Sequence, residues 1–171
     1  MKKCDTIVTV VTQSDSKNHK VEDFIVFYGS AKHKLDSKGR IFLPTKYRKD
    51  LGERFFVLRG LDKNRCLYIY NEKGYTELEE KINAMPNSEG GSEIRRFVFP
   101  NTEEVIIEPD AQFRFVISTA FREYAQLEGE ALIVGVSNRI EIWNEETYKA
   151  EQAEFEQEPA NIAALLSKFN F

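Results

Sequence analysis

The chain has 171 residues, of which 42% are apolar and 30% charged, and its formal net charge is −4. The apolar share suffices for a packed core and excludes wholesale disorder. Taken as an average, the acidic balance argues against a partner with a phosphate backbone. Two cysteines and two histidines (Cys4, Cys66, His19 and His33) stand at no zinc-ligand spacing and are too few for a disulfide scaffold. No metal or cofactor is expected, and Cys66 reads as a small core residue.

In chain order, residues 1–25 come first. Met1 to Cys4 has the look of a secretory leader's basic start. The apolar stretch from Thr6 to Thr12 is too short and too rich in threonine to follow it, and no run approaches the length of a membrane helix. The expectation is a soluble, cytoplasmic protein with residues 1–25 as an extension outside the body. That extension is either flexible or lies ahead of a native start at Val26.

Ala31, His33 and Leu35 alternate with Lys32 and Lys34, which predicts a half-exposed strand. Asp36 to Gly39 reads as a turn, with Gly39 free to take a positive φ. A second strand runs from Arg40 to Leu43 and stops at Pro44, ahead of a short helix from Thr45 to Leu51. Phe55–Leu58 and Leu67–Tyr70 read as buried strands joined by a turn at 62–65. Asn71 is placed to cap a helix carrying Tyr75, Leu78, Ile82 and Met85 on one face. Residues 86–92 are a polar connection, and a short helix from Glu93 to Phe99 leads to Pro100. Further strands are expected at 104–107, 114–117, 132–136 and 139–143, and Asn144 repeats the capping role of Asn71. After Pro159, Ile162, Leu165, Leu166 and Phe169 form the apolar stripe of a last helix, which needs a partner in its own core or on a neighbouring subunit.

The chain contains itself twice. At a shift of 74, Asp36–Arg48 lies over Asp110–Arg122 with Asp36/Asp110, Arg40/Arg114, Thr45/Thr119 and Arg48/Arg122 identical. At a shift of 73, Ile69–Glu72 lies over Ile142–Glu145, with tryptophan replacing tyrosine at one position. Two small βαβ-type units cannot each close a good core, so they are expected to bury their apolar faces against one another in one pseudo-symmetric body. The divisions expected are 26–85 and 100–150 for the repeats, 86–99 for the connection and 151–171 for a helical tail.

Val26–Gly29, Leu35–Arg40, Leu43-Pro44, Arg48 and Asn138–Trp143 together resemble the bacterial MraZ family, marked by a doubled Asp-x-x-x-Arg motif. The resemblance covers the chain from about Val26 to the last helix. It implies an α+β fold of two AbrB-like repeats forming a double swapped-hairpin β-barrel with peripheral helices. It also implies a ring-shaped homo-oligomer, associated with the nucleoid, that binds short direct repeats of double-stranded DNA. The promoter so bound is that of the cell-division and cell-wall gene cluster. Asp36, Gly39, Arg40, Pro44 and Arg48 stand where the family has them. The second copy departs, with Phe113 for the glycine and Ser118 for the proline. Without glycine the second turn is open to another backbone path, and Arg114 is expected to matter less than Arg40.

Arginine presents a planar fork that fits a phosphate or the O6/N7 edge of guanine, and a β-ribbon can carry it into the major groove. The DNA-binding candidates are therefore Arg40 and Arg114 with Lys38, Arg48, Lys32, Lys34 and Lys46. Asp36 and Asp110 are expected to shape their turns through backbone N–H bonds, together with Gly39. The same Asp-x-x-x-Arg spacing also reads as an internal salt bridge closing a hairpin, the lysines as a solvated face and Arg48 as a structural ion pair.

Nothing supplies an enzyme's inventory: there is no nucleophile–base order, phosphate loop or metal cluster. No small-molecule substrate is expected. The rival reading is a protein-binding module of the same fold, antitoxin-like and without promoter specificity. Charge by segment sharpens the choice. Residues 26–60 hold nine Lys/Arg and three Asp/Glu, a net of +6, whereas 100–134 hold two and seven, a net of −5. The acidic total therefore belongs to the second copy and tail, and the first copy is expected to do most of the binding.

Overall fold

The computed structural model describes residues 25–108, 112–157 and 159–168. The N-terminal extension, Asp110 and Phe169 lie outside the described residues. The first repeat supplies β1 (Phe27–Lys34), β2 (Arg40–Phe42), α1 (Thr45–Leu51), β3 (Arg54–Arg59), β4 (Leu67–Asn71) and α2 (Glu72–Asn83). A short 3-10 turn and α3 (Gly91–Val98) connect the halves. The second repeat supplies β5 (Thr102–Ile106), β6 (Arg114–Val116), α4 (Thr119–Tyr124), β7 (Glu130–Ser137), β8 (Arg139–Trp143) and α5 (Glu145–Gln157), and α6 (Pro159–Ser167) follows.

The two repeats exchange strands. Six strands form one antiparallel sheet in the order β1-β7-β8-β4-β3-β5, and β2 pairs with β6 as a separate two-stranded ribbon. The first strand of each repeat thus pairs with the third strand of the other, β1 with β7 and β5 with β3. The second and fourth strands pair with their own counterparts, β2 with β6 and β4 with β8. Ile41 faces Phe115 and Tyr68 faces Glu141, and each pair consists of repeat equivalents. A pseudo-two-fold axis therefore runs through the centres of the ribbon and the sheet. Every pairing is antiparallel, so the expected βαβ units are absent among the described strands. The helices α1 and α4 join strands that do not pair with each other, β2 to β3 and β6 to β7, so neither serves as a crossover between parallel neighbours.

Alternation along each strand feeds two cores. On one face of the sheet, Ile69, Ile133, Ile140 and Ile142 meet Ile41 and Phe115 of the ribbon, Tyr47 and Leu51 of α1 and Phe121 of α4. On the other face Tyr68, Tyr70, Leu132, Val134 and Trp143 meet Ile82 of α2, Val98 of α3 and Tyr148 of α5. Each fully buried aliphatic side chain contributes roughly 1.5–3 kcal/mol. Among the described residues no strand ladder closes sheet and ribbon into one barrel; side-chain packing joins them.

The capping expected of the two asparagines is present. Asn71 accepts from the Gly74 N–H, and Asn144 from those of Glu146 and Thr147. Cys66 is buried, and burial pushes its thiol well above the usual range. Among the described residues, no helix is long and apolar enough to cross a membrane, and no three His, Cys, Asp or Glu side chains gather to hold a metal.

Candidate nucleic-acid interface

The ribbon brings the two Asp-x-x-x-Arg motifs together. Ile41 and Phe115 point into the core, so Arg40, Phe42, Arg114 and Val116 share the outward face. Arg40 lies opposite Val116, and Arg114 opposite Phe42. Beyond the strand ends, the Leu43 N–H donates to Phe113 O at 3.1 Å and the Ile117 N–H to Gly39 O at 2.8 Å. These two bonds are repeat equivalents, so each motif's turn is tied to the other copy.

Asp36 organises the first turn. Its Oδ1 accepts the N–H groups of Lys38 and Arg40, both at 2.9 Å, and its Oδ2 accepts Arg40 Nε at 2.6 Å. The Arg40 N–H bond, aided by the guanidinium, holds the Asp36 carboxyl below its usual range. The salt-bridge and turn-shaping roles thus coexist in one carboxylate. Arg40 is committed through Nε alone; its two terminal nitrogens have no partner among the described residues. The Lys38 side chain is exposed on the same turn.

The second turn matches the first at Phe113 and differs at the residue before it. Phe113 takes φ 58° where Gly39 takes φ 76°, but Gln112 also takes a positive φ, 53°, which its counterpart Lys38 does not, so the backbone differs there, in line with the expectation for a turn without glycine. Left-handed backbone costs a residue with a Cβ roughly 1–2 kcal/mol. Packing against the core offsets this, because Phe113 is half-buried there and Arg48 lies 5.3 Å over its ring. Ser118, in the proline's place, caps α4 by accepting the Phe121 N–H. Arg114 stands 5.4 Å over the Phe42 ring. Each ribbon arginine thus has its own orienting partner, a carboxylate for Arg40 and an aromatic face for Arg114.

Arg48 and Arg122 do something the sequence did not reveal. Arg48 Nε donates to Leu43 O and Arg122 Nε to Ile117 O, both at 3.2 Å. Each ties its helix to the preceding strand and lies on the other copy's turn, Arg48 on Phe113 and Arg122 against Gly39. A Cβ at residue 39 would sit 2.8 Å from Arg122 Nε and 2.9 Å from Ile117 O. Gly39→Ala is therefore expected to cost roughly 1–3 kcal/mol in urea unfolding, from left-handed strain and the contact with a fixed carbonyl. A loss below about 0.5 kcal/mol would show that the turn relaxes around the methyl. Arg48 also helps to push the His33 imidazole below its usual value, after the larger effect of burial.

The lysines do not all gather here. Lys32 and Lys34 pair with Leu132 and Glu130 across β1 and β7, which puts them on the α5 side of the sheet, away from the ribbon. Lys32 is held by Glu145 at 2.6 Å. Lys46 donates to Tyr28 O at 3.0 Å and lies 4.8 Å over the Tyr47 ring. The compact basic feature is the ribbon with the Lys38 turn.

Comparison with known proteins places this arrangement. Residues 26–96 and 101–166 each match the family model described as "MraZ protein, putative antitoxin-like", once per repeat. The chain belongs to the MraZ family. It is 40% identical over 146 residues to the transcriptional regulator MraZ of Desulforamulus reducens, a match spanning 82% of this chain and all of that protein. Transcriptional regulation, the role in that relative's name, is not an enzymatic one. Within an MraZ chain the two matched repeats are the halves that exchange strands here.

Proposed function

We propose that this chain is a transcriptional regulator, not an enzyme, that grips double-stranded DNA through the outward face of the β2–β6 ribbon. One observation carries the reading: the equivalent arginines of both repeats, Arg40 and Arg114, lie on one exposed two-stranded ribbon. An antiparallel ribbon fits the major groove, and arginine forks read guanine there. Lys38 adds a phosphate contact beside Arg40. Asp36 and Gly39 shape the turn, with Asp110 in the equivalent position of the second copy. Arg48 steadies the ribbon from behind and Lys46 adds to the general attraction to phosphate, whereas Lys32 and Lys34, on the α5 side of the sheet, take no part in the grip. The exchanged strands support reading the fold as a double swapped hairpin whose barrel is closed by packing.

The targets proposed are short tandem repeats in the promoter of the cell-division and cell-wall gene cluster, read by a ring of subunits on the nucleoid. One ribbon offers few contacts, so neighbouring copies on sites about one helical turn apart would multiply a weak grip. The apolar face of α6 supports self-association, since Ile162, Leu165 and Leu166 are exposed.

The test is titration of the promoter upstream of the chain's own gene against a scrambled duplex at two salt concentrations. The promoter is expected to bind tighter by about 10³ or more, with both affinities falling as salt rises. Equal affinity for the two duplexes would leave the antitoxin-like protein-binding reading.

A further inference from the structure

The ribbon's outward face is not purely cationic. Phe42 is 37% exposed and Val116 55%, although both stand in strands whose inward neighbours, Ile41 and Phe115, are almost wholly buried. Large apolar groups at the centre of an exposed basic face need an occupant that offers apolar surface beside hydrogen-bond acceptors. The major groove offers that pair: guanine presents O6 and N7, and thymine presents its 5-methyl group. Helical DNA rises about 3.4 Å per base pair. Residues two apart on a strand are separated by about 6.5–7 Å, or two base steps, and directly opposed residues by about 4.5–5.5 Å. A groove position two steps from a guanine held by Arg40 therefore falls near Phe42, and an adjoining one near Val116.

We propose that Phe42 and Val116 are specificity-determining residues that read thymine 5-methyl groups beside the bases gripped by Arg40 and Arg114. This rests on the DNA-binding reading of the ribbon. Phe42 has a second task, since Arg114 lies over its ring. Its loss would loosen that arginine, and overall affinity alone is therefore not the readout.

The experiment starts from duplexes enriched by the full chain from a random-sequence pool. Each thymine is then replaced by deoxyuridine, which removes only the methyl group. The expected result is an affinity lowered about fourfold at each contacted thymine, the effect of one methyl-sized group returned to water. Those thymines should lie within about two base pairs of a guanine. In Phe42→Ser and Val116→Ser the ratio between thymine and deoxyuridine duplexes should fall to one at the position each residue reads. A wild-type chain that binds its selected duplex tightly but ignores the methyl overturns this inference alone. Variants that keep the wild-type ratio overturn it too. If no sequence is enriched, the DNA-binding reading falls with it.

Discussion

Glu141→Ala is expected to destabilise the fold by about 2–4 kcal/mol, the cost of leaving the buried Trp143 N–H and a half-buried guanidinium without their shared acceptor. Glu141 is 5% exposed and accepts Arg139 Nε at 2.8 Å and Arg139 Nη2 at 2.7 Å through Oε1. Its Oε2 takes the Trp143 Nε1–H at 2.9 Å, and the guanidinium lies 4.2 Å over the Tyr68 ring. Removing the carboxylate orphans the indole N–H in the core beneath α5 and leaves the half-buried guanidinium without its counter-charge. In a chain of this size the loss corresponds to a melting temperature lower by about 4–16 °C. Glu141→Gln, which keeps an acceptor for Trp143 but loses the charge, should fall between alanine and wild type. Replacing Arg139 and Glu141 together by leucine should cost less than Glu141→Ala, with about 1–3 kcal/mol remaining for the unpaired indole N–H. Urea unfolding of the three variants decides it; a loss under about 1 kcal/mol for Glu141→Ala would show that the pair contributes little.

Arg40→Ala is expected to weaken specific DNA binding by about 1–3 kcal/mol per ribbon, or roughly 5- to 150-fold, compounding where several subunits sit on tandem sites. Folding should be spared. Asp36 keeps its bonds to the backbone N–H groups of Lys38 and of residue 40, so the turn persists without the side chain. Arg40→Lys separates charge from fork: it should retain most non-specific, salt-dependent binding and lose discrimination between promoter and scrambled DNA. Arg114→Ala should also reduce specific binding, because Phe113 shares the left-handed conformation of Gly39 and the ribbon register sets Arg114 on the same face. Unchanged promoter affinity in Arg40→Ala, with the oligomer intact, would remove the ribbon from the interface.

The duplicated motif and nearly every element were legible in the sequence, because they rest on short-range signals: Gly39 and Pro44 as punctuation, alternation in strands, asparagine caps. The exchange of strands was not. Alternation says that one side of β1 is buried but not which strand lies beside it, and its partner β7 is about a hundred residues away. The same limit misplaced Lys32 and Lys34. Their alternation with Ala31 and His33 was correct, yet nothing local says that α5 covers their side and that Glu145 claims Lys32. Phe113 looked like a departure because an aromatic residue at positive φ is disfavoured locally; tertiary packing against the core and Arg48 overrides that preference. Arg139, Glu141 and Trp143 alternate as a solvent-facing set would. The signal that they form a buried network is the indole at the end of the series, which needs an acceptor when buried.

The pairing of β1 with β7 bears on synthesis. The ribosome delivers Phe27 long before Ser137, the residue it pairs with. At about 5–20 residues per second, some 5–20 s pass before β1 has a neighbour. Over that interval the nascent first half exposes a hydrophobic strand edge and an uncovered ribbon face, the two features most prone to intermolecular pairing. Neither half completes its strand pairing until the other has been made. The pseudo-two-fold axis that sets both arginines on one face also makes folding a late, all-at-once event dominated by distant contacts.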